Sequence, residues 1–239
     1  MNPSSTPAKS PVVLPRLLLP VAAVAFASAV ACVLLGARIV VTGSWRQLFL
    51  PWNLFLAWLP LLFAWRAARA DTAAAPSRWR FRAHALAWLL LFPNAPYILT
   101  DLWHLPPNWQ GRFWTDLVLI LLFALTGLVL GCLSLFLMQT LVARRFGWVR
   151  GWVFALAVTG LSGVGICIGR FLRWNSWDVL VSPLALASNL WRWTVNIPAH
   201  PGILLLPALF ATLLFVAYLL LYALARMPAA PSESPRFTP

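Results

Sequence analysis

Apolar residues in this chain come in long runs rather than in alternation. They fall at 17–41, 48–65, 81–100, 114–142, 149–172 and 203–225, with short connections between them. A helix needs roughly 20 apolar residues to cross a hydrocarbon core. Within lipid it also satisfies its own backbone donors and acceptors. The pattern predicts an all-α polytopic membrane bundle of about six transmembrane helices.

The runs are not uniform. The first is longer than the roughly 7–15 residues of a signal-peptide core, so it reads as a first span ending near Arg38, whose side chain can snorkel. The second carries Pro51 and Pro60. The third is interrupted at Pro93-Asn94-Ala95-Pro96, where the missing donors predict a kink or an end. The fourth is long enough to tilt. The stretch 179–193, with Trp191 and Trp193 flanking Arg192, predicts a short interfacial helix before the last span. The transmembrane domain is 17–226. The segments 1–16 and 227–239 are rich in Pro and Ser and read as disordered cytoplasmic tails.

Composition agrees with bilayer rather than water as the solvent. Of 239 residues, 62% are hydrophobic and 10% charged, with a mean hydropathy of +0.82. Soluble domains carry about 25% charged residues. The net charge of +13 would suggest nucleic acid in a soluble protein. Here seventeen of the eighteen basic residues are arginine, mostly in short connections, and anionic headgroups are their natural counter-charge. The partner predicted is the lipid bilayer, with no nucleic acid.

Arginine density also sets an orientation. Connections 66–82 and 144–150 are the most basic and lie on one side, together with both termini. The positive-inside rule places that side, and both termini, in the cytoplasm.

Five acidic residues remain to be explained. Asp71 lies in a basic loop and Glu233 in a tail, whereas Asp101, Asp116 and Asp178 all fall at outer ends of apolar runs. Near them in sequence are Asn94, Tyr97, His104, Arg112, Arg170, Arg173 and Asn175. One reading is architectural: each aspartate caps a helix N-terminus and pairs with an arginine. Another is a site. Asp101 and His104, three apart, share a helical face. With Asp116 and Asp178 brought close they would form a carboxylate–imidazole cluster for acid–base chemistry or a divalent cation. Arg112, Arg170 and Arg173, with Asn94 and Asn175, would hold a phosphate or carboxylate. No metal-binding or nucleophile motif is recognisable.

Gly127 and Gly131, and likewise Gly165 and Gly169, are four apart, a spacing that lets helices approach closely. The fourth and fifth spans are expected to pack together. Trp45, Trp52, Trp103, Trp109, Trp114, Trp148, Trp174 and Trp177 sit at span ends, where interfacial anchoring explains them without a cofactor. Cys32, Cys132 and Cys167 lie singly in apolar runs and read as packing residues.

The segments 92–105 (FPNAPYILTDLWHL) and 169–178 (GRFLRWNSWD) resemble the DUF1361 family of bacterial multipass membrane proteins. That family has no assigned function. The resemblance implies a bacterial cytoplasmic-membrane location and carries over no catalytic residue, cofactor or substrate. The functional expectation is an outer-face polar site, transport-related. The alternatives are a membrane enzyme acting on a lipid or lipid-linked anionic substrate, and an assembly subunit without chemistry.

Overall fold

A computed structural model describes residues 17–72, 77–105, 112–172, 174, 178–196 and 201–226. The two tails lie outside the described residues. The helices are α1 (Leu18–Thr42), α2 (Phe49–Thr72), α3 (Arg78–Leu91), α4 (Asn94–Tyr97), α5 (Phe113–Phe146), α6 (Trp148–Phe171), α7 (Asp178–Val181), α8 (Pro183–Asn196) and α9 (Leu205–Leu224). A 3₁₀ segment, Ile98–His104, continues from α4, and a second one, Pro201–Leu204, leads into α9. No strand occurs among the described residues.

Among the described residues, five stretches are long and apolar enough to cross a membrane: Leu18–Thr42, Arg78–His104, Phe113–Phe146, Trp148–Phe171 and Gly202–Leu224. Their outward faces show which solvent they suit. On α1, Leu19, Phe26, Val33 and Val40 recur every seven residues and are 81%, 72%, 70% and 86% exposed. Water would penalise such a stripe, whereas acyl chains cover it at no cost. The opposite side of α1 buries Val24, Ala31 and Leu35.

The expected run at 48–65 belongs to a longer helix, α2, whose polar and proline content keeps it out of the five. Even so, α2 runs the height of the bundle. Near its start Asn53 touches Asp101, and near its end Asp71 pairs with Arg145. Those contacts are eighteen positions apart, about 27 Å of helix, close to the thickness of a hydrocarbon core. It packs against both α3 and α5.

Helix α5 is the central element. It contacts α1, α2, α4, the Ile98–His104 segment, α6 and α9. At 34 residues it is about 51 Å long, so its Arg144–Arg145 end projects beyond the core. Gly147 alone joins it to α6, with φ +96° and ψ 161°, a backbone region that only glycine visits easily. The Gly147 N–H satisfies the Ala143 carbonyl.

Helix α3 ends where proline predicts. Pro93 and Pro96 bring no N–H, so the helical ladder is interrupted. The Ala95 N–H bonds the Phe92 carbonyl at 3.2 Å instead of that of Leu91, and the Asn94 amide donates to the Leu91 carbonyl at 3.0 Å. The chain then continues as one turn of α4 and a tighter 3₁₀ segment. Trp88, buried just before the break, anchors it by donating from Nε1 to Ser134 Oγ of α5.

Helices α5 and α6 do pack together, with Gly151 of α6 facing Ala143 of α5. The two glycine pairs do not form that seam, however. A Cβ on Gly127 would meet the Ala95 carbonyl oxygen at 2.6 Å, and one on Gly131 the Ala95 methyl at 3.3 Å. A Cβ on Gly165 would meet Pro93 at 2.9 Å, and one on Gly169 the Tyr97 ring at 3.3 Å. Both pairs therefore face the same object. The break at 93–97 is held between α5 on one side and α6 on the other, closest at Gly127 and Gly165, where a side chain would force a shift.

Helix α8 has no buried residue and carries Leu184, Trp191 and Val195 on one exposed face, with Arg192 beside it. It overlaps the stretch 179–193 in which a short helix is expected, but begins at Pro183, after the separate turn α7.

Candidate functional site

The break opens a cavity of about 410 Å³ bounded by α2, α4, the 3₁₀ segment and the end of α6. Its polar lining is Asn53, Asn94, Asp101, His104 and Arg170. Its aromatic lining is Phe49, Trp52, Tyr97 and Trp174, and Gly165 and Gly169 form part of its wall. The glycines thus do two things: they admit the break, and they leave floor space that a side chain would fill.

Asp101 is the best-held residue here. It is 1% exposed and accepts a hydrogen bond from Asn53 Nδ2 to Oδ2 at 2.8 Å. Its other oxygen lies 3.9 Å from His104 Nδ1, within an ion pair's reach but beyond a hydrogen bond. The His104 ring rests on Phe49 with centroids 4.7 Å apart, and its side chain is 42% exposed toward the cavity mouth. A buried carboxylate is costly in an apolar setting unless donors or cations face it. Asn53 supplies the donor, and Arg170 lines the same cavity.

The three outer aspartates do not converge. Asp116 is engaged on both oxygens by Arg38 of α1, with Nε to Oδ1 at 2.7 Å and Nη2 to Oδ2 at 2.9 Å. It is a bidentate structural pair and does not line the cavity. Asp178 opens the four-residue α7 and does not line it either. Among the described residues no three His, Cys, Asp or Glu come together to hold a metal ion. The four-residue carboxylate–imidazole cluster expected from Asp101, His104, Asp116 and Asp178 thus reduces to Asp101 and His104. The reason is azimuth. Asp101 faces α2, whereas Asp116 faces α1 across α5.

Of the expected anion ligands, Arg170 and Asn94 line the cavity. Arg112 is exposed at the start of α5 and stands outside it. Arg173 and Asn175 lie outside the described residues. The capping idea for Asp101 also changes, since it sits inside its 3₁₀ segment and bonds a side chain of another helix.

Two positions that hold these aspartates escape sequence reading. Asn53 looks like a tolerated polar residue in an apolar run, although an amide at that depth is a signal in itself. Arg38 reads as a snorkelling residue, and nothing local shows a partner 78 positions away.

Fold and cavity together define a polytopic helical membrane protein with a polar pocket at a broken span. Residues 52–222 match the model of a family described as protein of unknown function, DUF1361, and the chain belongs to that family. Every cavity-lining residue named above except Phe49 falls in the matched stretch, whereas Arg38 and all of α1 precede it. No curated protein and no solved structure matches the chain.

Proposed function

We propose that this chain is a bacterial cytoplasmic-membrane protein with six crossings and both termini inside. Its outward cavity binds a small polar ligand bearing an anionic group as part of a transport cycle. The observation that carries the reading is the break at 93–97, clamped between two glycine pairs and forming the wall of a cavity that holds Arg170, Asp101, His104 and two amides. Discontinuous helices at small-residue contacts are the recurrent device by which transporters line a site and change its exposure. Arg170 supplies the fork for a carboxylate or phosphate. Asn53 keeps Asp101 oriented toward ligand donors, and Trp52 and Tyr97 give apolar cover.

A second reading rests on the 3.9 Å approach of His104 to Asp101. That pair suits a general base beside an anion held by Arg170, as in an enzyme acting on a lipid-linked substrate.

Site accessibility tests both. In a chain with Cys32, Cys132 and Cys167 replaced by alanine, Leu56→Cys is placed on the deep wall and His104→Cys at the mouth. Each is treated with a membrane-impermeant maleimide in right-side-out and in inverted vesicles. The transport reading expects Leu56→Cys to react from both sides and His104→Cys chiefly from the outside. Labelling of both positions only from the outside would replace transport with the fixed-site enzyme reading.

A further inference from the structure

Away from the polar cavity, at the opposite end of the bundle, α1, α2 and α5 enclose a groove of about 320 Å³ with an almost wholly apolar lining. Leu17, Leu18 and Val21 form one wall, Trp58, Leu61 and Trp65 the other. The groove is open to the side, since Leu18 is 72% and Trp65 37% exposed. Its rim is cationic. The Arg69 guanidinium lies 4.4 Å from the centre of the Trp65 ring, whereas Arg66 turns away from the groove to Phe63. Among the described residues Arg69 has no ion-pair partner, because the carboxylate at this end, Asp71, is taken by Arg145.

We infer that this groove is a binding site for an anionic phospholipid of the leaflet on the arginine-loop side. One acyl chain lies between α1 and α2, and the phosphate sits on Arg69. The chemistry at each end selects the occupant. The walls offer nothing to a polar molecule, and the rim demands an anion one helical turn above them. A second copy of the chain fits less well, because a self-complementary contact here would bring the same arginines together. The cation–π contact of Arg69 with Trp65 keeps its guanidinium at the groove mouth, where a phosphate can take two of its donors.

Native mass spectrometry of the full chain in detergent, with equimolar phosphatidylglycerol and phosphatidylcholine of identical acyl chains, tests this. The wild type should retain phosphatidylglycerol about fivefold over phosphatidylcholine, the scale of one arginine acting on one headgroup. Arg69→Gln should bring the ratio near one. Arg150→Gln, on the same face but remote from the groove, should leave it unchanged. Val21→Trp, which fills the groove, should lower retention of both lipids while the mass remains that of a monomer. Equal retention of the two lipids by the wild type would overturn the inference. So would a preference that survives loss of Arg69, or a dimer that Val21→Trp dissociates.

Discussion

Arg38→Met is expected to destabilise the protein by about 3–5 kcal/mol, and Asp116→Leu by a similar amount, whereas the two together come within about 1 kcal/mol of the wild type. The pair is bidentate and mostly buried, with side-chain exposures of 14% for Arg38 and 8% for Asp116. Removing one partner strands the other charge among apolar neighbours, at a cost well above the net contribution of the pair. Removing both leaves two apolar side chains in an apolar seam. The effect should be large because α1 has few other attachments. It buries only Val24, Ala31 and Leu35 within its own length, and its polar link to α2 is the bond from Trp58 Nε1 to Ser28 Oγ at 3.2 Å. Reversible unfolding in mixed micelles titrated with SDS, run as a double-mutant cycle, measures the coupling. Single-variant costs below about 1 kcal/mol would mean that water reaches the pair and that it contributes as surface pairs do.

Gly127→Ala is expected to cost about 1–3 kcal/mol in the same assay, against the normal trend for a helix interior. Alanine is ordinarily favoured over glycine there by about 0.8–1.0 kcal/mol. At Gly127 the added methyl would stand 2.6 Å from the Ala95 carbonyl oxygen and 2.8 Å from Ile98 Cδ1. A backbone oxygen in a proline-locked turn has little freedom to withdraw, so α5 and the break must separate. Gly36 and Gly160 are the internal comparison, because a Cβ at either meets nothing within 4 Å. Gly36→Ala and Gly160→Ala should therefore stabilise by up to about 1 kcal/mol. If Gly127→Ala follows them, the break does not press on α5 and the clamp is not formed.

These two sites show where sequence and structure part company. Apolar runs reveal which segments avoid water, and Pro93 and Pro96 reveal where a helix cannot continue, because both signals are local. Charge placement shows at which end of the bundle a residue lies, so Asp101, Asp116 and His104 are all found at one end. It does not show azimuth. Which neighbour a helix face meets depends on packing among helices distant in sequence, and this sends Asp116 to Arg38 and Asp101 to Asn53. The glycine pairs carry the same ambiguity. Their spacing announces a close approach without naming the partner, and the partner is a turn rather than a second straight helix. Asn53 is hidden because a single amide barely lowers the hydropathy of its run, although its hydrogen bond fixes the most deeply buried carboxylate of the cavity.

The central claim is that the break at 93–97 delivers Asp101 to α2, forming a cavity separate from the Arg38–Asp116 pair. Cysteine cross-linking in the cysteine-free chain tests it most directly. Asn53→Cys with Asp101→Cys should be bridged in membranes by a short bifunctional thiol reagent, whereas Asp101→Cys with Asp116→Cys should not. Cross-linking of the two former aspartates, with none between positions 53 and 101, would contradict the account.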